Sequence, residues 1–259
     1  MFEDEIYNKK IIRDPSLYEQ ITLDDVKQAY NELIKCEHFY SYIGEDSLED
    51  VIKAFSKFNL KSETTSKRVY LEKYAKEITV PKIVCEDYDV NQSHLFIGYR
   101  TPIFTDHEDY YPMHIFNIML GGSGNSELFE IVREEHGLAY SINSLYSHSK
   151  GYMLIDGGIS KDNYDKTIAL INEIISNYQK GLIDVDKLEI IKREIIADVK
   201  AGIDSINNTL DKVILIDISG PVRSAKEKID KINSITVEDI KRVANSIVLD
   251  TIYFMRGKK

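Results

Sequence analysis

Hydrophobic residues recur with a helical period over most of this chain and alternate with polar residues in a few short stretches. Residues 21–35 place Thr22 and Asp25 in capping-box spacing ahead of an apolar stripe, which predicts a helix. Further helices are predicted at 47–58, 106–120 and in a long region from 161 to about 246. Alternation predicts strands at 38–44, 74–90, 94–100, 137–147, 151–160 and 251–257.

These elements predict an α+β fold, in which helices pack on an antiparallel sheet. The polar segment KSETTSK at 61–67 contains no apolar residue and is the best candidate for a domain boundary.

One internal echo suggests how the chain is organised. ITLDDVKQAY at 21–30 returns as ITVEDIKRVA at 235–244, and each copy leads into a β-like segment that ends in glycine. We therefore expect residues 1–65 to be the C-terminal tail of a truncated first domain and residues 66–259 to be one complete domain of the same kind. The alternative is that two capped helices share this motif by chance.

Composition and charge exclude several classes of function. The net charge of −10 argues against a nucleic-acid or anionic-membrane binder, because those need a basic face. No apolar run is long enough to span a bilayer, and the N-terminus lacks the apolar core of a signal peptide. Cys36 and Cys85 have no metal-ligand spacing and are too few for a disulfide framework, so a cytoplasmic location is expected.

The block LGGSGNSELFEIVREEHGLAYS at 120–141 is the most informative stretch. It lacks both the order of a dinucleotide-binding loop and the lysine of a phosphate-binding loop, so a phosphate site is a weak interpretation. A better one ends a helix at Gly121-Gly122, caps the next with Asn125 or Ser126 and stops that helix at Gly137. Leu128, Phe129 and Val132 would then face the core, with Arg133 on the helix flank and Tyr140 opening the next strand.

The order L-G-G-x-x-x-S-x-L-F-x-x-V-R-E-x-x-G-L-A-Y-S resembles the second-domain signature of the pitrilysin/insulinase family of zinc metallopeptidases, which includes the mitochondrial processing peptidase. The segments around it, from about residue 20 to 257, resemble that family in the same order. The resemblance implies two similar halves that clamp an extended peptide, with H-x-x-E-H in the first half. It also implies that Arg133 and Tyr140 hydrogen-bond the peptide backbone near the scissile carbonyl. The alternative is a solvated helix charge at Arg133 and a core aromatic at Tyr140.

The chain departs from that family at the metal. Its six histidines form no H-x-x-E-H motif in either orientation. His107 and His114 could share a helix face, but two turns is too far for one ion without a third ligand, so we expect surface or half-buried side chains. No serine or cysteine nucleophile stands out. We therefore predict no catalytic residue, no metal ligand, no cofactor and no enzymatic activity of the chain alone.

Two hypotheses follow. In the first, the chain is a non-catalytic subunit that binds extended peptide, or completes the chamber of a zinc-bearing homologue or of a second copy. In the second, it is the C-terminal fragment of an active zinc endopeptidase whose H-x-x-E-H half lies upstream of Met1. Zinc is then expected only in a partner chain or in that upstream half.

Overall fold

The described residues form two compact units. The computed structural model describes residues 1, 15–36, 38, 40–57, 78–203, 205, 209–211 and 223–258. One unit, the sheet unit, comprises Met1, Leu71–Lys200 and Ser224–Lys259, and the other comprises Phe2–Tyr70 and Ala201–Arg223. No helix in the described part of the chain combines the length and apolarity needed to cross a membrane.

The sheet unit is built around five described strands. They are β1 (Lys82–Asp87), β2 (Ser93–Arg100), β3 (Ala139–Ser147), β4 (Tyr152–Ile159) and β5 (Val248–Arg256). Their spatial order is β1-β5-β2-β4-β3, so the last strand of the chain lies between the first two. β1 runs parallel to β5, and all other neighbours are antiparallel.

Helices cover one face of this sheet. They are α3 (Tyr110–Asn117), α4 (Tyr164–Lys180), α5 (Val185–Ala201), α6 (Ala225–Asn233) and α7 (Val237–Ser246), with two π-helical segments at Ile118–Gly122 and Leu128–Glu135 and a 3-10 turn at Lys161–Asn163. Strand residues on the covered face, such as Leu95, Ile97 and Ile155, are buried. On the other face Phe96, aligned with Asp156 and Tyr253, is only half-buried. An alternating pattern with one covered face is typical of a sheet packed on one side.

The second unit carries a 3-10 helix at Pro15–Gln20 and the helices α1 (Leu23–Leu33) and α2 (Leu48–Ser56). The two copies of the internal echo form matching helices. Thr22 caps α1 through a capping box with Asp25, and Thr236 caps α7 through the same box with Asp239. The echo therefore extends from sequence to local structure.

The α+β class is confirmed, with two corrections to the strands. Residues 38–44 were predicted as a strand, but the described ones, 38 and 40–44, form none. No described segment pairs with them, and a strand needs a neighbour for its backbone hydrogen bonds. The sheet is also not wholly antiparallel, because β5 enters beside β1 in the parallel sense. The linker at 61–67 lies outside the described residues, and the boundary between 65 and 66 stays a prediction.

Candidate functional site

The signature block, residues 120–141, folds as a short helix between two turns, and this helix is called the signature helix below. The helix Leu128–Glu135 has π-helical hydrogen bonding, and its N-cap is Glu127, without a side-chain cap bond. Glu127 itself has helical backbone angles, and the Glu130 N–H donates to the Ser126 carbonyl at 2.9 Å, so the helical turns begin directly after Ser126, as predicted, although its side chain makes no cap bond. Ser126 is fully buried, and its hydroxyl makes no hydrogen bond with any described residue.

The helix ends where glycine was predicted to stop it. Gly137 has φ +59°, in the left-handed region that a side chain disfavours. Its N–H donates to the Arg133 carbonyl at 3.1 Å, and the Leu138 N–H donates to the Val132 carbonyl at 3.0 Å. This pattern closes the helix and turns the chain directly into β3.

Arg133 lies in the last turn of this helix, on its flank. Its side chain is 40 % exposed, and its Nε lies 3.4 Å from Glu134 Oε1. Its guanidinium carbon stands 4.6 Å from the centre of the Phe129 ring. Phe129, predicted to face the core, is only half-buried, whereas Leu128 and Val132 are buried as expected. The aromatic ring supports the guanidinium from one side and leaves it within reach of solvent.

Tyr140 is the second residue of β3, and the residue is 79 % exposed. The register with β4 shifts between Ala139 and Ser141, so Tyr140 is the extra residue of a bulge. A bulge re-aims a side chain at a sheet edge, and here the neighbour Ala139 stays buried while Tyr140 faces outward. Neither Arg133 nor Tyr140 is a core residue. That their polar ends converge on one peptide stays a prediction.

Ser144 and Asn117, which were not predicted from the sequence, connect β3 to α3. Ser144 Oγ lies 3.1 Å from the backbone oxygen of Asn117 and 3.0 Å from its Oδ1, and both side chains are buried. Gly121 packs so closely that an added Cβ would stand 2.7 Å from the Ser144 nitrogen. A polar residue at a core-facing position of the alternating strand was the only sequence signal for Ser144.

An ion pair connects the first turn of the signature helix to α5. Lys187 Nζ on α5 donates to Glu130 Oε2 at 2.6 Å. Burial raises the pKa of the Glu127 carboxyl at the start of the helix. The Lys187–Glu130 contact near the start of the helix and the Gly137 and Leu138 hydrogen bonds at its end together hold the helix that carries Arg133.

His107 and His114, the two histidines considered as a metal pair, make contacts typical of structural side chains. His107 and His114 are both half-buried, as expected, and His107 Nδ1 accepts the Asp109 N–H at 3.0 Å. His114 stacks on Tyr110 with 6.2 Å between ring centres. Across the described stretches, no three His, Cys, Asp or Glu residues are grouped so that they could hold a metal ion.

Comparison with known proteins finds relatives that are named as metalloproteases or zinc proteases. The chain is 28 % identical over 243 residues to the probable inactive metalloprotease YmfF of Bacillus subtilis (strain 168), covering 92 % of this chain and 56 % of that protein. It is 26 % identical over 211 residues to the uncharacterized zinc protease YmxG of the same strain, covering 79 % of this chain and 49 % of the relative. The chain thus spans about half the length of these relatives.

Solved structures share the fold. A conserved protein from Enterococcus faecalis V583 superimposes with a TM-score of 0.84 at 22 % identity, over 94 % of this chain and 57 % of that one. The peptidase M16 inactive domain from Pseudomonas fluorescens superimposes with a TM-score of 0.77 at 18 % identity, over 100 % of this chain and 63 % of the other. The sequence model of the peptidase M16 inactive domain matches residues 20–195, more than half of the chain. The chain therefore belongs to the family of peptidase M16 inactive domains.

Proposed function

We propose that this chain binds extended peptide without cleaving it and completes the peptide chamber of a zinc-bearing homologue. The observation that carries the proposal is the exposed pair of donors in the signature block, Arg133 at 40 % and Tyr140 at 79 % exposure. Large exposed aromatic and cationic side chains at a rigid sheet edge are typical of a recognition surface.

The chemistry suits a peptide backbone. A guanidinium offers several N–H donors in a fixed plane, and a phenol offers one O–H donor. Both can donate to a carbonyl oxygen, and neither activates water. The chain is thus proposed to position peptide, with zinc chemistry supplied by a partner or by a half encoded upstream.

The internal sequence repeat, at 21–30 and 235–244, supports the proposal of a partner protein. In α7 the residues Ile240 and Ala244 are fully buried in the sheet unit, whereas Val26 and Tyr30, at the matching positions of α1, are 54 % and 61 % exposed. The helix motif that is covered in one copy is therefore open in the other. Burying such a side chain contributes about 1.5–3 kcal/mol. We propose that a second peptidase-like half covers α1, through a surface like the one that covers α7.

The same observations support a second candidate, in which these residues are the C-terminal part of one longer zinc endopeptidase. The chain covers only 49 % of the uncharacterized zinc protease YmxG, and this supports the second candidate. Reading the DNA upstream of Met1 separates the candidates. An in-frame extension that encodes H-x-x-E-H supports the longer enzyme, and one without that motif supports the subunit.

Peptide binding is tested with a fluorescein-labelled reporter peptide of about ten residues, in which leucine and threonine alternate between terminal lysines. Tyr140→Phe and Arg133→Gln are each expected to weaken binding about fivefold to thirtyfold, because each removes donors worth about 1–2 kcal/mol. The matched controls Tyr18→Phe and Arg193→Gln, at other exposed positions, should bind as the unaltered chain does. Equal binding by all four variants would remove the proposed roles, and no binding by the unaltered chain would refute the function.

Catalysis and assembly need separate measurements. Elemental analysis is expected to find no stoichiometric zinc in the purified chain, and the reporter peptide should stay intact; tightly held zinc with chelator-sensitive cleavage would contradict this. Light scattering should show a complex with a zinc-bearing homologue from the same cell. Leu33→Glu should abolish that complex and Asn31→Glu, also on α1, should not. A monomer throughout would refute the partner.

A further inference from the structure

A half-buried aromatic ring lies beside Arg133 on the signature helix. The ring belongs to Phe129, whose neighbours Leu128 and Val132 are fully buried in the core. Ile131, also half-buried, packs against that core, whereas Phe129 is not among the described residues that do so. Packing in the core therefore does not account for the position of the Phe129 ring.

The helix places this ring under the Arg133 side chain. The two residues are four apart, which keeps them on one face of the helix. Helical side chains lean towards the N-terminus of their helix, so the long side chain of Arg133 extends back over the preceding turn. Its guanidinium carbon stands 4.6 Å from the centre of the Phe129 ring. At that distance the electron-rich face of the ring attracts the cation.

The guanidinium has a second contact, with a carboxylate. Arg133 Nε lies 3.4 Å from Glu134 Oε1, and the Glu134 side chain is 58 % exposed. An ion pair this exposed contributes little and is screened by salt. In the part of the chain that the structure describes, the ring and the carboxylate are the contacts of the guanidinium. They engage one of its faces and its Nε, so the Nη groups stay available to a ligand.

We propose that Phe129 is a positioning residue, whose ring holds the Arg133 guanidinium so that its Nη groups can donate to a peptide carbonyl. This rests on the proposed peptide-binding function and identifies the residue that prepares its donor. A free arginine side chain loses much rotamer freedom when it binds a ligand, and a contact already made in the free chain reduces that loss. Phe129 acts through Arg133 and does not itself contact the peptide.

The orientation is measured in the free chain by NMR. Protons held over an aromatic ring resonate upfield, so the side-chain N–H signals of Arg133 should lie upfield in the unaltered chain. In Phe129→Leu they should return towards the positions of a solvated arginine. Phe55→Leu removes another half-buried ring, which stacks on Tyr40, and should leave these signals unchanged. Unchanged Arg133 signals in Phe129→Leu would overturn the proposal.

Binding of the reporter peptide measures the consequence. Phe129→Leu is expected to weaken binding about twofold to fivefold, and Phe129→Tyr, which keeps the ring face, should bind within about 1.5-fold of the unaltered chain. Glu134→Gln should change binding by less than about twofold, because the ion pair is exposed. In the Arg133→Gln chain, Phe129→Leu should have no further effect, because no cation remains for the ring to hold. A further loss of about twofold or more there would show a role independent of Arg133 and would refute the positioning role.

A fluorinated ring separates the attraction of the cation from packing. Trifluorophenylalanine, with fluorine at ring positions 3, 4 and 5, nearly keeps the shape of Phe129 but withdraws electrons from the ring face. Incorporated at position 129, it should weaken peptide binding about as much as Phe129→Leu does. Binding as tight as that of the unaltered chain would contradict the proposal. If the unaltered chain does not bind the reporter peptide at all, the proposed function fails, and the NMR comparison still decides whether Phe129 orients Arg133.

Discussion

Ser144 Oγ, in the middle of the edge strand β3, lies 3.1 Å from the backbone oxygen of Asn117 at the end of α3. Asn117 is also where α-helical hydrogen bonding gives way to the π-helical turn at Ile118–Gly122. The hydroxyl therefore fixes the edge strand to the point at which the helix changes its geometry.

Ser144→Ala should destabilise the chain by about 1–3 kcal/mol, because it leaves the buried Asn117 oxygens without this donor. Urea unfolding measures the effect. Ser141→Ala, on the same strand but exposed, is the matched control and should change stability by less than about 0.5 kcal/mol. Equal effects of the two changes would show that the buried hydrogen bond is unimportant.

Gly121, near the end of the π-helical segment Ile118–Gly122, and Gly124, in the turn that follows, meet different surroundings. A Cβ on Gly121 would stand 2.7 Å from the Ser144 nitrogen and 2.8 Å from Leu128 Cδ1, whereas one on Gly124 meets nothing within 4 Å. Gly121→Ala should cost about 1–3 kcal/mol through overpacking, and Gly124→Ala should be neutral or slightly stabilising. Thermal unfolding of both variants checks this, and a neutral Gly121→Ala would contradict the close packing.

The buried pair Arg100–Asp250 joins β2 to β5, with 3.0 Å between Nε and Oδ2. Arg100→Met should cost about 3–5 kcal/mol, because it leaves a buried carboxylate without its partner. Adding Asp250→Leu should recover most of that loss. Arg256→Met, which breaks the more exposed pair with Asp87, should cost less than about 1 kcal/mol. Similar costs for Arg100→Met and Arg256→Met in urea would disprove the account of this pair.

Stability should also depend on His114. Burial, and to a smaller degree the nearby His148, lower the pKa of His114 below its ordinary value of 6.5. The unfolded chain then takes up a proton at a higher pH than the folded chain. The contribution of His114 is therefore present above pH 6.5 and is lost as the pH falls through 6.5 towards the lowered folded value.

Urea unfolding at several pH values tests this dependence. Stability of the unaltered chain should fall more steeply between pH about 7.5 and about 5.5 than that of His114→Gln. In an NMR titration, His148→Gln should raise the pKa of His114, because it removes a neighbouring positive charge. Parallel pH profiles of the unaltered and His114→Gln chains would refute the prediction.

Capping, glycine and alternation patterns predicted the structure correctly where a residue affects only its own segment of the chain. Thr22 and Thr236 cap helices as their spacing indicated, and Gly137 ends the signature helix because a left-handed residue was needed there. Alternation located β2, β3 and β4.

Features that depend on distant neighbours could not be predicted. Alternation identifies a strand but not its partner, so the parallel pairing of β1 with β5 was missed. Residues 38–44 have strand composition but no described partner. Ser126 has the composition of a cap but is buried by packing. The buried ion pair of Asp250 could not be predicted either, because its partner Arg100 lies 150 residues away in the sequence.

The most direct test of the central claim is a double-mutant cycle on Arg133 and Tyr140, with reporter-peptide affinities measured by fluorescence anisotropy. If both side chains contact the same stretch of peptide backbone, Arg133→Gln and Tyr140→Phe should be coupled by about 0.5–2 kcal/mol. The double variant would then lose less than the sum of the single losses. Strict additivity within about 0.3 kcal/mol, or single losses no larger than those of Arg193→Gln and Tyr18→Phe, would contradict the account.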